Sequence, residues 1–231
     1  MEELTGKDDG ATGQSIEAPT PEKQDTNATT LRMEEGKNST TSQPNATIAP
    51  PEDLVEGDVV LHRWRSSDAN GLHAAASRSI AELSQWMPWA VEGYSHLKAE
   101  QFIDFARKSW ESGEEYHFAI VLDGQASGSF GLMKPLTKKP NTLELGYWLA
   151  TDATGRGLAG RAASLLTRTA FEIGAEHVQI RHQELNKRSA AIPQRLGFTN
   201  MGMHTLDEKG DGEGTECVVW QMDRTASQRP L

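Results

Sequence analysis

The chain has 231 residues and a formal net charge of −10, which is long enough for one domain with a sizeable core and some additional residues. Twelve acidic and four basic residues lie within 1–56, so the rest of the sequence is nearly neutral and lacks the basic stripe of a nucleic-acid-binding protein. The single cysteine, Cys217, excludes an internal disulfide, and no apolar run is long enough to cross a membrane. Because the N-terminus also lacks the features of a secretory signal, a cytoplasmic protein is expected.

Residues 1–56 are rich in Thr, Ser, Asn, Glu and Pro and contain few large apolar side chains. Such a segment cannot bury enough apolar surface to offset its chain entropy, so it is predicted to be a disordered acidic tail. A solubilising role is favoured for this tail, with a partner-binding role as the alternative. The folded domain is expected over residues 57–225, followed by a short C-terminal tail at 226–231.

The first half of the domain carries the patterns of one strand, two helices and a hairpin. Asp68 is a residue type that often precedes a helix, and Gly113 can adopt the left-handed conformation that closes one. Asp123 and Gly124 are typical of a two-residue hairpin turn. In chain order, the elements are a strand at 58–65, helices at 68–86 and 98–113, and a hairpin at 115–134.

The second half alternates strands with helices, which predicts a mixed sheet with helices packed against it, an α+β fold. In the strand at 141–150, one face is expected to carry Leu143, Leu145, Tyr147 and Leu149, and the other Glu144, Gly146 and Trp148. The later elements are a helix after the glycines at 155–160, a strand at 176–185, a short helix at 186–196 that Pro193 is expected to make irregular, and two strands at 197–206 and 215–223.

Three glycines, Gly155, Gly157 and Gly160, form the spacing G-x-G-x-x-G at the start of a helix. This spacing is typical of dinucleotide-binding turns, but such a turn opens its domain, whereas here most of the predicted elements precede it. The glycines still allow a phosphate to approach the backbone, and the N-terminus of the helix carries a partial positive charge. With Arg156 and Arg161 beside it, the loop is predicted to bind a pyrophosphate; a purely structural turn is the alternative.

Four stretches carry a family resemblance: LSQWMPWA at 83–90, ELGYWLA at 144–150, the glycine loop, and NKRSAAIPQRLGF at 186–198. In this order they resemble the GCN5-related N-acetyltransferase (GNAT) superfamily, and within it the ribosomal-protein alanine/serine N-acetyltransferase (RimJ/RimL-like) subgroup. The sequence departs from the family's loop at Thr154, where Gln or Arg is usual. The resemblance implies a central twisted mixed sheet of about six or seven strands flanked by about four helices.

The resemblance also implies a reaction, the direct transfer of an acetyl group from acetyl-CoA to a primary amine without a metal. A protein N-terminal α-amine is the favoured acceptor, because a group with a pKa of about 8 is about one quarter neutral near pH 7.5 and needs only a modest base. A small amine-bearing metabolite or antibiotic is the alternative acceptor, and a non-catalytic acyl-CoA-binding module is the alternative function. The assembly is expected to be a monomer or a homodimer.

Two residues are expected, by this resemblance, to carry the chemistry. Glu144 is the candidate base, with an exposed strand carboxylate or a substrate-orienting contact as its alternatives. Many family members supply a tyrosine to the departing thiolate seven residues after the asparagine of the last helix, and here that position is Pro193. Ser189 matches the Asn-x-x-Ser of the subgroup and is the candidate hydrogen-bond donor or acid for the thiolate. Asn186 is the candidate pantetheine contact, and both residues also suit helix capping.

The remaining site residues lie on an acceptor side and a cofactor side. Trp86 and Trp89 occupy the region that lines the acceptor groove in the family, with core packing as the alternative, and Glu144 is also counted as a substrate contact. A backbone N–H near Trp148 or Leu149 is implied as the oxyanion donor. The residues expected to bind acetyl-CoA are Trp148, Leu149, Gly155, Arg156, Gly157, Leu158, Ala159, Gly160, Arg161, Asn186 and Ser189.

Overall fold

The computed structural model describes residues 49–207 and 214–225 of the chain. Most of the predicted acidic tail and all of the tail at 226–231 lie outside these described residues. The strands are β1 (Asp53–Glu56), β2 (Val59–Arg63), β3 (Tyr116–Leu122), β4 (Gln125–Met133), β5 (Thr142–Leu149), β6 (His177–His182), β7 (Thr199–Leu206) and β8 (Thr215–Asp223). The helices are α1 (Ala69–Ser77), α2 (Ile80–Leu83), α3 (His96–Ser112), α4 (Leu158–Glu172) and α5 (Lys187–Leu196).

In the described part of the chain, eight strands form a single sheet in the order β1-β2-β3-β4-β5-β6-β8-β7. β5 and β6 run parallel, and the other neighbouring strands are antiparallel. This arrangement confirms the predicted mixed sheet, with one more strand and one more helix than the resemblance implied. The additional strand, β1, pairs with β2 through a turn at Gly57 and buries Leu54, so the predicted tail boundary at residue 56 comes too late.

Helices cover both faces of the sheet. α4 buries Leu158 and Leu166 on one face, and α1 and α3 bury Leu72 and Ile103 on the other. The alternation predicted for β5 is confirmed: Leu143, Leu145, Tyr147 and Leu149 pack on the α4 side, and Trp148 packs on the side of α1 and α3. None of the helices given above is both long and apolar enough to cross a membrane.

The first predicted helix is divided into α1 and α2 at Ser79, which is fully buried. Its hydroxyl donates to the carbonyl oxygen of Ala75 at 2.8 Å and accepts the backbone N–H of Thr151 at 3.0 Å. This contact ties the helix pair to the segment that follows β5. Asp68 precedes α1 as predicted, but its carboxylate accepts the N–H of Arg65 and not an N–H of the helix.

The turn signals predicted from the sequence are confirmed. α3 ends at Gly113 in the left-handed conformation, as predicted, and begins after Ser95, two residues before the predicted start, with the Ser95 hydroxyl accepting the N–H of Lys98. Asp123 and Gly124 both have positive φ, at 49° and 73°, as the tight hairpin between β3 and β4 requires.

The irregularity predicted for α5 at Pro193 is limited to one missing backbone hydrogen bond, because the helix runs without a break from Lys187 to Leu196 with the proline inside it. A proline removes one backbone N–H and leaves the carbonyl four residues earlier without its helical donor. That carbonyl belongs to Ser189, and it accepts the hydroxyl of Tyr147 from β5 at 3.3 Å. A side chain from the neighbouring strand therefore replaces the missing backbone hydrogen bond.

β5 and β6 pair over only part of their length. Their register covers three pairs, of which the last joins Glu144 to Gln179. Beyond this point β6 continues along β8, while β5 continues along β4 as far as Leu149. Gly128 permits the close approach of β4, since a Cβ there would overlap the carbonyl oxygen of Trp148. Because the pairing with β6 ends at Glu144, the edge of β5 that faces β6 is open from Leu145 onward.

Candidate active site

A cavity of about 750 Å³ opens where β5 and β6 diverge. Four parts of the chain surround it: α2 with the turn after it, the end of β5, the glycine loop with the first turn of α4, and α5. The predicted site residues that line it are Trp86, Trp148, Leu149, Gly155, Gly157, Leu158, Ala159, Gly160, Asn186 and Ser189. The structure thus brings together ten of the residues that the sequence singled out.

The glycine loop forms one wall of this cavity. Gly155 and Gly157 have φ of 77° and 73°, a conformation that side-chain-bearing residues rarely adopt, and Gly157 is the residue before α4. The first backbone N–H groups of a helix lack partners within that helix, so this end of α4 can bind an anion. Thr154, the residue that departs from the family pattern, donates its hydroxyl to the carbonyl oxygen of Thr151 at 2.8 Å.

The two arginines predicted for the cofactor do not line the cavity. Arg161 forms an ion pair with Asp58, next to β2. The guanidinium of Arg161 lowers the pKa of the Asp58 carboxyl, and the same contact raises the pKa of Arg161. The roles of Arg156 and Arg161 in cofactor binding stay predictions.

α5 contributes positively charged side chains to the cavity, and the sequence analysis did not select these residues. Arg188 and Arg195 line the cavity together with Lys187. The two arginines are seven residues apart, which is two helical turns, so they lie on the same face of α5. That spacing, combined with the predicted helix, is a signal from which they could have been found.

Asn186 and Ser189 combine the two roles that the sequence left open. The side-chain oxygen of Asn186 accepts the N–H of Ser189 at 3.1 Å, so Asn186 caps α5. Both residues also line the cavity. Capping therefore holds the Asn186 side chain at the cavity wall and fixes the backbone of Ser189 beside it.

Tyr147 lines the cavity opposite α5 and was not selected as a site residue. Its hydroxyl lies 3.2 Å from the hydroxyl of Ser189 and 3.3 Å from that residue's carbonyl oxygen. Burial raises the pKa of Tyr147 to about 12, and the contact with Ser189 opposes this shift. The ring stacks on Phe130, with centroids 5.5 Å apart and an interplanar angle of 19°.

Glu144, the predicted base, is not among the residues that line the cavity. It is 4% exposed, which rules out the alternative of an exposed strand carboxylate. One carboxylate oxygen accepts the Nε–H of Arg181 at 2.6 Å, and the other accepts the N–H of Leu136 at 3.3 Å. Its catalytic role and its contact with the substrate stay predictions.

The aromatic pair predicted for the acceptor side is divided by the structure. Trp86 and Met87 line the cavity, whereas Trp89 does not. Trp89 packs against Tyr94 and Trp148, with ring centroids 5.1 Å and 5.7 Å away. It thus contacts Trp148 of the cavity wall, and its role on the acceptor side stays a prediction.

Among the described residues that line the cavity, Glu82 is the one carboxylate. It is exposed on α2, and its carboxylate accepts the hydroxyl of Thr151 at 3.0 Å. Glu82 lies four residues before Trp86, so helical spacing was the signal that could have linked the two. Within the described residues, no group of three or more His, Cys, Asp and Glu side chains could hold a metal ion.

Residues 58–199, more than half of the chain, match the family model described as "Acetyltransferase (GNAT) domain". A Bacillus subtilis (strain 168) protein named "Putative ribosomal N-acetyltransferase YdaF" is 25% identical to this chain over 150 residues. The aligned region covers 64% of this chain and 81% of that protein.

Solved structures share the fold. The microcin C7 self immunity acetyltransferase MccE, in complex with acetyl-CoA and AMP, has a TM-score of 0.67 at 18% identity, covering 76% of this chain and 98% of its own. RimL, described as a ribosomal L7/L12 alpha-N-protein acetyltransferase in complex with coenzyme A, has a TM-score of 0.64 at 18% identity, covering 74% and 96%. At these identities, the likeness to each structure concerns the fold.

Proposed function

Because the chain belongs to the GNAT acetyltransferase family, it is an acetyl-CoA-dependent N-acetyltransferase, and we propose that its acceptor is the α-amine of a protein N-terminus. The observation that carries this proposal is the acceptor end of the cavity, where the exposed carboxylate of Glu82 lies on the same wall as Trp86 and Met87. The names of RimL and YdaF, which refer to ribosomal substrates, agree with this choice.

The residues around the cavity fit acetyl-CoA. The positive-φ glycines and the first N–H groups of α4 suit a pyrophosphate, and Arg188 and Arg195 can neutralise phosphate charge from the opposite wall. The open edge of β5 suits the amides of the pantetheine arm, which can pair with it as an added strand would. We therefore assign the glycine loop to the pyrophosphate and the end of β5 to the thioester.

The reaction then follows from the chemistry of the two ends. The neutral amine nitrogen attacks the thioester carbonyl carbon, and a backbone N–H near Trp148 or Leu149 stabilises the oxyanion. The C–S bond breaks, and its electron pair leaves with the sulfur, for which Ser189 supplies a hydrogen bond. The proton that the nitrogen loses goes to solvent or to a carboxylate, and the sulfur is finally protonated from water.

An exposed acceptor end favours an amine that is already partly neutral in water. An α-amine has a pKa of about 8, whereas a lysine amine has a pKa of about 10.4, so near pH 7.5 the neutral fraction differs by a factor of about 200. Glu82 can attract the cationic form of the amine as it enters. An N-terminal amine, which is already partly neutral in water, can lose its proton to solvent before it attacks.

The test compares peptide acceptors that differ in the position of the free amine. One set has a free α-amine and no lysine, and a second has an acetylated N-terminus and one internal lysine. A third set consists of small primary amines. We expect acetylation of the first set, measured by mass spectrometry, with fragment ions that place the acetyl group on the first residue.

Faster acetylation of the small amines than of any free-N-terminus peptide would overturn the proposal in favour of a small-molecule acceptor. Faster acetylation of the internal lysine would overturn it in favour of side-chain acetylation. Peptides with Ser, Ala, Met or Lys as the first residue would define the preference at the wall formed by Trp86 and Met87.

A further inference from the structure

We propose that Tyr147 is a positioning residue for the leaving thiolate, and that it acts through the hydroxyl of Ser189 because Pro193 leaves a carbonyl open to anchor it. This inference rests on the proposed location of the thioester at the end of β5. Many family members use a tyrosine on the last helix for the leaving thiolate, but here that position is Pro193. The inference therefore assigns a related function to a tyrosine on a strand.

The first step of the argument concerns the open carbonyl. In α5 the backbone N–H of Ala190 donates to the carbonyl oxygen of Asn186 at 3.0 Å, which is the ordinary helical pattern. By the same pattern, the carbonyl oxygen of Ser189 would accept the N–H of residue 193. That residue is a proline, which has no backbone N–H. The hydroxyl of Tyr147 fills this place at 3.3 Å.

The second step concerns the two hydroxyls. Because the Tyr147 hydroxyl is held at the Ser189 carbonyl, it also lies 3.2 Å from the Ser189 hydroxyl, close enough for a hydrogen bond between them. A carbonyl oxygen can only accept, so the phenol proton points toward Ser189 in either arrangement. The phenol carries one proton, and when it shares this proton with the Ser189 hydroxyl oxygen, the serine, which lines the cavity, keeps its own proton to donate to a group there.

The third step concerns the state of the phenol. Burial raises the pKa of Tyr147 to about 12, so the side chain stays a neutral donor at any pH at which the protein works. Stacking on Phe130 fixes the plane of the ring, and the strand fixes its origin. The phenol is therefore a fixed donor and does not itself give up its proton.

These features produce a short chain of donors that ends at the sulfur. When the C–S bond breaks, its electron pair becomes negative charge on sulfur, and the Ser189 hydroxyl donates a hydrogen bond to it. The phenol of Tyr147 then shares its single proton between the carbonyl oxygen and the hydroxyl oxygen of Ser189, which strengthens the serine as a donor. No proton needs to leave the phenol, and the thiolate takes its proton from water after transfer.

The experiment measures the pKa of the CoA thiol bound to the protein, from thiolate absorbance in the ultraviolet relative to the complex with desulfo-CoA. It needs no acceptor, so it is independent of whether a peptide is the substrate. In the wild-type complex we expect this pKa to lie below that of free CoA. In Tyr147→Phe it should rise by about one unit, a tenfold change in acid dissociation constant, while the Kd of CoA changes less than about threefold.

Turnover supplies the second readout. Tyr147→Phe should lower kcat about tenfold and leave the KM for acetyl-CoA within about twofold, and Ser189→Ala should act in the same direction on both readouts. Pro193→Ala, which gives the Ser189 carbonyl a backbone donor, should raise the thiol pKa by a smaller amount than Tyr147→Phe. Pro193→Ala thus tests the hydrogen bond between the Tyr147 hydroxyl and the Ser189 carbonyl without changing the tyrosine itself.

Tyr116→Phe is the matched control, because the Tyr116 hydroxyl is buried with no hydrogen-bond partner among the described residues. A thiol pKa and a kcat that stay at wild-type values in Tyr147→Phe would overturn the inference, even if peptides are acetylated normally. The reverse result, a shifted thiol pKa without acetylation of any free N-terminus, would support it while refuting the proposed acceptor. Wild-type values in Pro193→Ala would overturn the part assigned to the proline.

Discussion

Replacing Glu144 by Gln separates a structural carboxylate from a catalytic one. The substitution keeps the shape of the side chain and removes the charge that Arg181 contacts at 2.6 Å. A hydrogen bond to a charged group contributes about 1.5–3 kcal/mol and a neutral one about 0.5–1.5 kcal/mol, so about 1–2 kcal/mol should be lost. The side chain of Arg181 is 27% exposed, and its access to water favours the lower part of this range.

Thermal unfolding and steady-state kinetics measured on the same variant decide between the two roles. For a domain of this size, 1 kcal/mol corresponds to about 2–4 °C, so we expect Tm to fall by about 2–8 °C. Glu144 does not line the cavity, and both of its carboxylate oxygens already accept hydrogen bonds. We therefore expect kcat to stay within about threefold of wild type. Glu172→Gln, at an exposed position on α4, is the control for removing one negative charge.

The opposite pattern would refute this reasoning. Removing a general base costs about 10²–10⁴ in rate, so a hundredfold fall in kcat with an unchanged Tm would restore Glu144 as the base. Such a result would mean that a water chain connects the carboxylate to the amine past Arg181. The prediction that Glu144 is the general base would then be correct, although its direct hydrogen-bond contacts do not include the amine.

Three further predictions concern the cofactor loop, the acceptor end and the pH dependence. Gly157→Glu, which places a negative charge at the start of α4, should abolish micromolar binding of acetyl-CoA in calorimetry and lower the Tm by about 2–8 °C, because a side chain at this positive φ costs about 1–2 kcal/mol; unchanged binding would exclude the loop as the pyrophosphate site. Glu82→Gln should raise the KM for a peptide about tenfold and leave the Kd of acetyl-CoA unaltered, and an unchanged KM would remove Glu82 from acceptor binding. The kcat/KM for a peptide should rise about tenfold per pH unit up to about pH 8, as the amine loses its proton, and then level off. Because the pKa of Tyr147 is about 12, Tyr147→Phe should lower this plateau without moving its midpoint; a displaced midpoint would contradict that assignment.

Local signals predicted the parts of the site that local chemistry determines. The glycines at 155 and 157 adopt positive φ, and the residues around them are typical of a turn between a strand and a helix. The loop was therefore predictable from sequence alone. Asn186 and Ser189 are three positions apart at the start of one helix, and their contact is a capping interaction within a single turn. The alternation in β5 likewise depends only on the period of a strand.

The sequence could not predict contacts that depend on how strands and helices meet. Tyr147 and Ser189 are 42 residues apart and come together only because β5 and β6 separate, which leaves room for α5 beside β5. Glu82 reaches the cavity because the buried hydroxyl of Ser79 breaks the first helix and binds the backbone of Thr151. Periodicity predicts one continuous helix there, since a serine is compatible with both outcomes.

The place where β5 and β6 separate explains why these features coincide. Glu144 belongs to the last pair between the two strands, and Arg181, two residues beyond its partner Gln179, reaches back to it. This ion pair therefore lies at the vertex of the divergence, and the first residues beyond it on β5 lead directly to Tyr147. A charged pair at this point holds β6 to β5 where their backbone pairing ends, and so it determines how far the open edge extends. With the thioester at the end of β5, as proposed, we expect Glu144 to act on the reaction by shaping this cleft, so its loss should be detected in Tm before it is detected in kcat.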